Sequence, residues 1–308
     1  MVYEYAIDPK IVALWAKDRR DYIYYYEKFG IGQPRLMAEF PKLKNWRKQF
    51  RKAADAAKDG ELQRLTALFN RLKETMIYRQ GIAYDGTQSW LENAVCENTR
   101  YPFQAILALE NPHCHIKVIP NESIDSHKKW DVNDSATPLR NAAAMAIPIS
   151  ALLRNSLTII FVDPYFDPRK HRWREPLKVF LEHSIKNPRL KDKERIEVHT
   201  STRILWEGEK TFEEVCRKKL PDCIPQNMKV KVKRWKQKDC GEKFHNRYIL
   251  TDLGGVMFGT GLDTGEGSET DDVNLMKRAT YELRWSQYAD DSPAFDLESE
   301  FEVEGLMP

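Results

Sequence analysis

The chain has 308 residues, 42% hydrophobic and 31% charged, with a formal net charge of +3. That length fits about two domains, and no stretch approaches the roughly 20 apolar residues of a membrane span. The opening MVYEYAIDPK has neither a basic n-region nor an apolar h-region, which predicts no secretory signal and a cytoplasmic setting. The five cysteines are odd in number and contain no C-x-x-C pair, so a disulfide framework is not expected.

Taken in order, the first part of the chain reads as helices. The run DPKIVALWAKDRRDYIYYYEKF starts at an Asp-Pro cap and stops before the breaker GIGQP. NWRKQFRKAADAAKDGELQRLTALFNRLKETMIYRQ keeps helical spacing with an interruption near Gly60. Two strand-like runs follow, FQAILAL and HIKVIP. His113 and Cys114 lie between them, and His115 opens the second. On a strand the two histidines would share a face, but no second ligand pair stands nearby, so no metal is expected. HIKVIPNE also begins H-x-K, yet puts Glu122 at the interval where a motif would need Asp, and reads as coincidence.

The polar stretch 121–138 predicts a boundary between a mainly helical region with a short strand pair, residues 1–125, and an α/β domain, residues 139–288. In the second region helices and strands alternate. LRNAAAMAIPISALLRN predicts a helix kinked or broken at Pro148, SLTIIFVDPYF a buried strand, and EPLKVFLEHSIKN a helix with Pro176 near its first turn. RIEVHTSTR predicts a strand, EGEKTFEEVCRKKL a helix and MKVKVKRW a strand of alternating lysines. Such alternation argues for a sheet with helices on its faces, where chemistry gathers at strand ends. The last region, 289–308, has seven acidic residues and no basic one, and predicts a solvated or self-covering tail.

Positive charge concentrates in three clusters: PKLKNWRKQFRK at 41–52, PRKHRWR at 168–174, and MKVKVKRWKQK at 228–238. The third carries Lys229, Lys231, Lys233, Arg234, Lys236 and Lys238 with no acid among them, the composition of a surface that tracks a polyanion. Trp173 and Trp235, set within basic clusters, suit either base stacking or core packing.

The stretch FHNRYILTDLGGVMFGTGLD at 244–263 holds the pattern H-x-R-x(4)-D-x(6)-G-T-x-x-D, through His245, Arg247, Asp252, Gly259, Thr260 and Asp263. Two core strands joined by a Leu253-Gly254-Gly255 turn account for its apolar residues, but not for its histidine, arginine and aspartates. It resembles the phospholipase D superfamily signature, H-x-K-x(4)-D-x(6)-G-S-x-x-N, with every interval kept. It departs from that signature by Arg at 247, Thr at 260 and Asp at 263. Over about residues 139–288 the chain is similar to single-motif members, including the phospholipase D-like domain at the C-terminus of MIT-domain proteins.

The resemblance implies a metal-independent phosphodiesterase, most simply a nuclease, with no cofactor and a phosphohistidine intermediate. His245 would be the nucleophile, a role open to imidazole because it ionises near neutral pH. Arg247 and Thr260 would hold phosphate oxygens, and Asp252 would complete the catalytic set by orienting the site, or a neighbouring backbone, rather than by reacting. Asp263 stands where the family has a neutral amide, either lining the phosphate site or turned away from it. Glu282 falls where a downstream acid sits in the family. One motif supplies one histidine, so the resemblance implies a homodimer with both His245 rings at its axis. Single-motif relatives point to prokaryotic defence or DNA processing, and the N-terminal helices are a candidate surface for a further protein partner. The alternative is a catalytically degenerate module that binds nucleic acid or acidic phospholipid.

Overall fold

The computed structural model describes residues 1–308 except 56, 187–193, 204–210 and 290–293. The chain divides into two compact units, Met1–Asp134 and Ser135–Pro308. No helix among the described residues is long and apolar enough to cross a membrane.

The first unit carries more sheet than its sequence predicts. Strand β1 (Tyr3–Ile7) is followed by helices α1 (Pro9–Lys17) and α2 (Arg19–Lys28), then β2 (Arg35–Ala38), α3 (Leu43–Ala54), α4 (Asp59–Lys73), β3 (Met76–Ile77), α5 (Trp90–Arg100), β4 (Ala105–Ala108) and β5 (Val118–Pro120). The five strands form one parallel sheet in the order β3-β2-β1-β4-β5. The expected helical region with a strand pair is therefore an α/β unit. Its β2 follows directly on the breaker GIGQP, in residues assigned to no element, and all four residues of that strand are buried. Burial on both faces removes the polar alternation that marks a strand in sequence.

Local chemistry fixes the helices. Asp8 accepts from the Lys10 N–H at 2.9 Å to cap α1, with Pro9 in the first turn, where its missing N–H is not needed. One face of the sheet packs Tyr5, Trp15, Tyr25, Trp46 and Trp130. The Trp46 indole donates to the Ile7 carbonyl at 3.0 Å, which ties α3 to the end of β1. His113, Cys114 and His115 fall in the turn between β4 and β5 rather than on a strand, and Cys114 has φ 48°.

The second unit runs β6 (Ser135–Ala136), α6 (Ala142–Asn155), β7 (Thr158–Val162), α7 (His171–Ile185), β8 (Arg195–Ser201), α8 (Phe212–Lys219), β9 (Lys229–Gln237), β10 (Arg247–Thr251), β11 (Gly254–Phe258), β12 (Val273–Leu275), α9 (Arg278–Tyr288) and β13 (Phe295–Glu304). The predicted α/β class holds, as an eight-stranded mixed sheet in the order β13-β9-β8-β7-β10-β11-β12-β6. Strands β7, β8 and β9 are parallel, and the others pair antiparallel. Helix α6 passes through Pro148 without breaking, and α7 begins at His171, before the predicted start. The first residues of the helix expected from Glu207 lie outside the described residues; α8 itself is capped by Thr211, which accepts from the Glu214 N–H.

The region read as an acidic tail is not a separate segment. Its residues Phe295–Glu304 form β13, the edge strand of the same sheet, paired along the length of β9. The tail covers the basic strand because their charges alternate in matching register: Glu304 faces Lys229, Glu302 faces Lys231 and Glu300 faces Lys233.

Candidate active site

The motif becomes a hairpin. In β10 and β11, Arg247 pairs with Phe258 and Thr251 with Gly254. Gly254, at φ 140°, supplies the turn conformation that a side chain would strain. Carrying the register two residues past Arg247 sets Thr260 across from His245. On its other side β10 pairs with β7, Tyr248 across from Val162, so the next positions are Arg247 and Asp163. His245, Arg247, Thr260 and Asp163 thus share one end of the sheet, at the carboxyl end of β7.

His245 is exposed, and its Nδ1 lies 3.0 Å from the Lys243 carbonyl oxygen. A carbonyl only accepts, so Nδ1 donates this bond and Nε2 is the nitrogen left open for chemistry. Arg247 stacks its guanidinium 5.0 Å from the centre of the Tyr165 ring. Its buried Nε has no hydrogen-bond partner among the described residues. Arg203, just past β8, donates to the Tyr165 hydroxyl at 3.3 Å and brings a second guanidinium to this end. The motif gave no signal for Arg203, because it belongs to a different strand.

Two further carboxylates, absent from the predicted set, shape the loop after β11. Asp163 is 2% exposed and accepts from the N–H groups of Tyr165 at 2.9 Å and Leu262 at 3.0 Å. Burial raises its pKa to about 7, against those two N–H groups and the Arg247 charge, which act to lower it. Asp271 accepts from Thr260 N–H at 2.9 Å and Gly261 N–H at 3.3 Å. The Asp-Pro step closing a buried strand was the only sequence hint of Asp163.

Several predicted site residues are placed elsewhere. Asp252 lies at the far end of β10 from His245, where it accepts from the N–H groups of Leu157 at 2.9 Å and Thr158 at 3.0 Å. There it fixes the start of β7, orienting backbone rather than the groups around His245. Asp263 is turned toward two cations of the protein: it is buried, 2.7 Å from Arg140 Nη2 and 2.5 Å from Arg172 Nη2. A Cβ at Gly261 would sit 2.6 Å from Asp263 Oδ1, so the glycine leaves room for that inward turn. Glu282 is exposed on α9 and pairs with Arg278 at 3.0 Å, one helical turn away.

The predicted nucleic-acid strand is neutralised. Lys229 pairs with Glu304 at 2.9 Å, Lys231 with Glu300 at 3.0 Å, Lys233 with Glu300 at 3.4 Å and Arg234 with Glu298 at 3.4 Å. Lys236 stands across from Asp296, and Lys238 follows the end of β9. Trp173 and Trp235 are buried, and the Trp235 indole donates to His199 Nδ1 at 3.2 Å, so neither offers a face for stacking. His199, fully buried, uses its other nitrogen toward Glu197 Oε2 at 2.7 Å and has no free lone pair for chemistry. Burial tends to raise the Glu197 pKa, but hydrogen bonds from His199 and Arg195, with the Lys233 charge, hold it down to about 2.

No protein-family model matches the chain, and no curated protein matches it. Among solved structures, one similar chain belongs to TrmBL2, described as an archaeal chromatin protein that shows a novel mode of DNA binding. It is 9% identical, with a TM-score of 0.27, over 80% of this chain and 87% of that one. A likeness of that size carries no argument about fold or function.

Proposed function

We propose that the second unit is a metal-independent phosphodiesterase of phospholipase D type, acting on nucleic acid through a phosphohistidine. One observation carries this reading: an exposed histidine, held through Nδ1 by the Lys243 carbonyl, stands two residues from an arginine with an unpartnered nitrogen. In the first step Nε2 attacks phosphorus while the bond to the leaving oxygen breaks. That oxygen takes a proton from an imidazolium supplied by a second copy. In the second step water attacks the phosphorus and gives its proton to the now neutral second imidazole. The P–N bond then breaks and returns its electron pair to His245. Arg247, and Arg203 beside it, would balance the charge on the non-bridging oxygens throughout.

The Asp-for-Asn change at 263 does not oppose this reading, since two arginines hold that carboxylate inward. The test is incubation of the protein with end-labelled single- and double-stranded DNA and RNA, with and without EDTA. Cleavage should survive EDTA and fall at least about a thousandfold in His245→Ala. Equal cleavage by that variant would overturn the assignment. Binding without any cleavage by the unaltered protein would favour the degenerate binding module instead.

A further inference from the structure

Of the three basic clusters, two are matched by acids. Those on β9 face β13, while Arg169 and Lys170 pair with Asp167, and Arg172 with Asp263. In the third, Lys42 pairs with Glu39 at 3.3 Å, but the part on α3 of the first unit is not matched. Lys44, Arg47, Lys48, Arg51 and Lys52 are all exposed, and none has an ion-pair partner among the described residues. They fall into stripes four residues apart, 44-48-52 and 47-51, so like charges repeat about every 6 Å along the helix. Repulsion at that spacing is unfavourable for the free helix, and a bound polyanion would relieve it.

Beside this ridge runs a groove of about 480 Å³ between α3 and α4, lined by Arg47, Phe50, Arg51, Leu62, Thr66 and Phe69, among others. Trp46, Phe50 and Phe69 form a near-parallel ring cluster, with centroids 5.2, 5.6 and 5.7 Å apart. The Arg47 guanidinium lies 5.0 Å from the Phe69 ring, and Leu62 is 54% exposed. Asp55 is the one acid along this lining. Flat apolar surface beside regularly spaced cations suits a ligand that carries its charge on a backbone and its flat faces on side groups.

We propose that the α3–α4 groove binds single-stranded nucleic acid, with phosphates along Arg47, Lys48 and Arg51 and a base against Phe50. A duplex keeps its base faces stacked inside and would leave the groove floor wet. This shares with the proposed phosphodiesterase only the class of polyanion, and it rests on a different unit and different residues. Binding is therefore measured on full-length His245→Ala protein, so that the result does not depend on cleavage.

The probes are fluorescein-labelled dT20, a 20-base-pair duplex and polyglutamate, read by anisotropy across a NaCl series. Replacing Arg47, Lys48 and Arg51 with glutamine should flatten the log–log salt slope for dT20 by about 2, from about 0.7 per lost contact. Phe50→Leu should leave that slope unchanged and weaken dT20 about five- to tenfold. Neutralising Lys229, Lys231 and Lys233 should leave the slope unchanged. The α3 cations are exposed, so the triple variant should keep the parent melting temperature, and Arg47→Lys with Arg51→Lys should keep the slope. An unchanged slope in the triple variant would overturn the proposal. So would polyglutamate binding as tightly as dT20 with no effect of Phe50→Leu, which would make the groove a site for an acidic protein segment.

Discussion

Replacing Asp263 with asparagine separates the two places its carboxylate could face. The residue is buried, bonded through Oδ1 to Arg140 at 2.7 Å and through Oδ2 to Arg172 at 2.5 Å. Breaking a buried pair by removing one partner costs about 3–5 kcal/mol, but part of that is recovered here. The Arg172 side chain is 47% exposed and can turn to water, and Arg140 keeps Glu269 at 2.9 Å. The asparagine amide would also set N–H groups against a guanidinium, so the loss should be about 2 kcal/mol. Urea unfolding followed by circular dichroism reads it, with coincidence of two probes as the check on two-state behaviour. A cycle with Arg140→Met should show a coupling of about 1 kcal/mol or more. A loss below about 0.5 kcal/mol with no coupling would refute the clamp. A tenfold gain in affinity for a phosphate ligand would refute it differently, by showing that the carboxylate had faced the site.

Two other outcomes follow from the geometry. In mixtures of equal amounts of parent and His245→Ala protein, with full subunit exchange, about one quarter of the activity of the same total amount of parent should remain if each site needs two histidines; about one half would mean that one copy suffices. Asp163, raised to about 7 in the fold and near 3.8 when unfolded, binds more protons in the folded state between those values. Its contribution is therefore fully present below about pH 4 and is lost as pH rises to 7. His199 works oppositely: burial lowers its pKa from 6.5, so stability falls as pH drops below that value. The stability difference between the parent and Asp163→Asn should shrink from pH 4 to pH 7, and a constant difference in urea midpoints would count against the buried, titrating carboxyl.

What the sequence made legible here is what is local along the chain. The hairpin at 247–258, the helix caps and the break between the two units can be read from residues a few positions apart. Of the strands of the first unit, β4 and β5 lie in runs read as strands, whereas β1, β2 and β3 do not: β2 offers only RLMA, which has no alternation because both of its faces are covered. The site divides in the same way. His245 and Arg247 announce themselves by interval, whereas Asp163, Arg203 and Asp271 reach the same sheet end from distant positions through strand order alone.

Charge was the least legible feature, for a physical reason. A run of lysines has a meaning only once its neighbours across the sheet are known, and β9 acquires glutamates from a strand that begins 66 residues later in the numbering, Lys229 against Phe295. The outermost of these pairs are open to water and add little to stability. Together they still remove the positive field that a backbone phosphate would sense, since opposite charges 3–4 Å apart look neutral beyond a Debye length of about 8 Å. The same logic makes the smaller run on α3 the stronger candidate. A helix exposes successive turns with no strand beside it to supply counter-charges, so its cations stay available to a partner that brings its own.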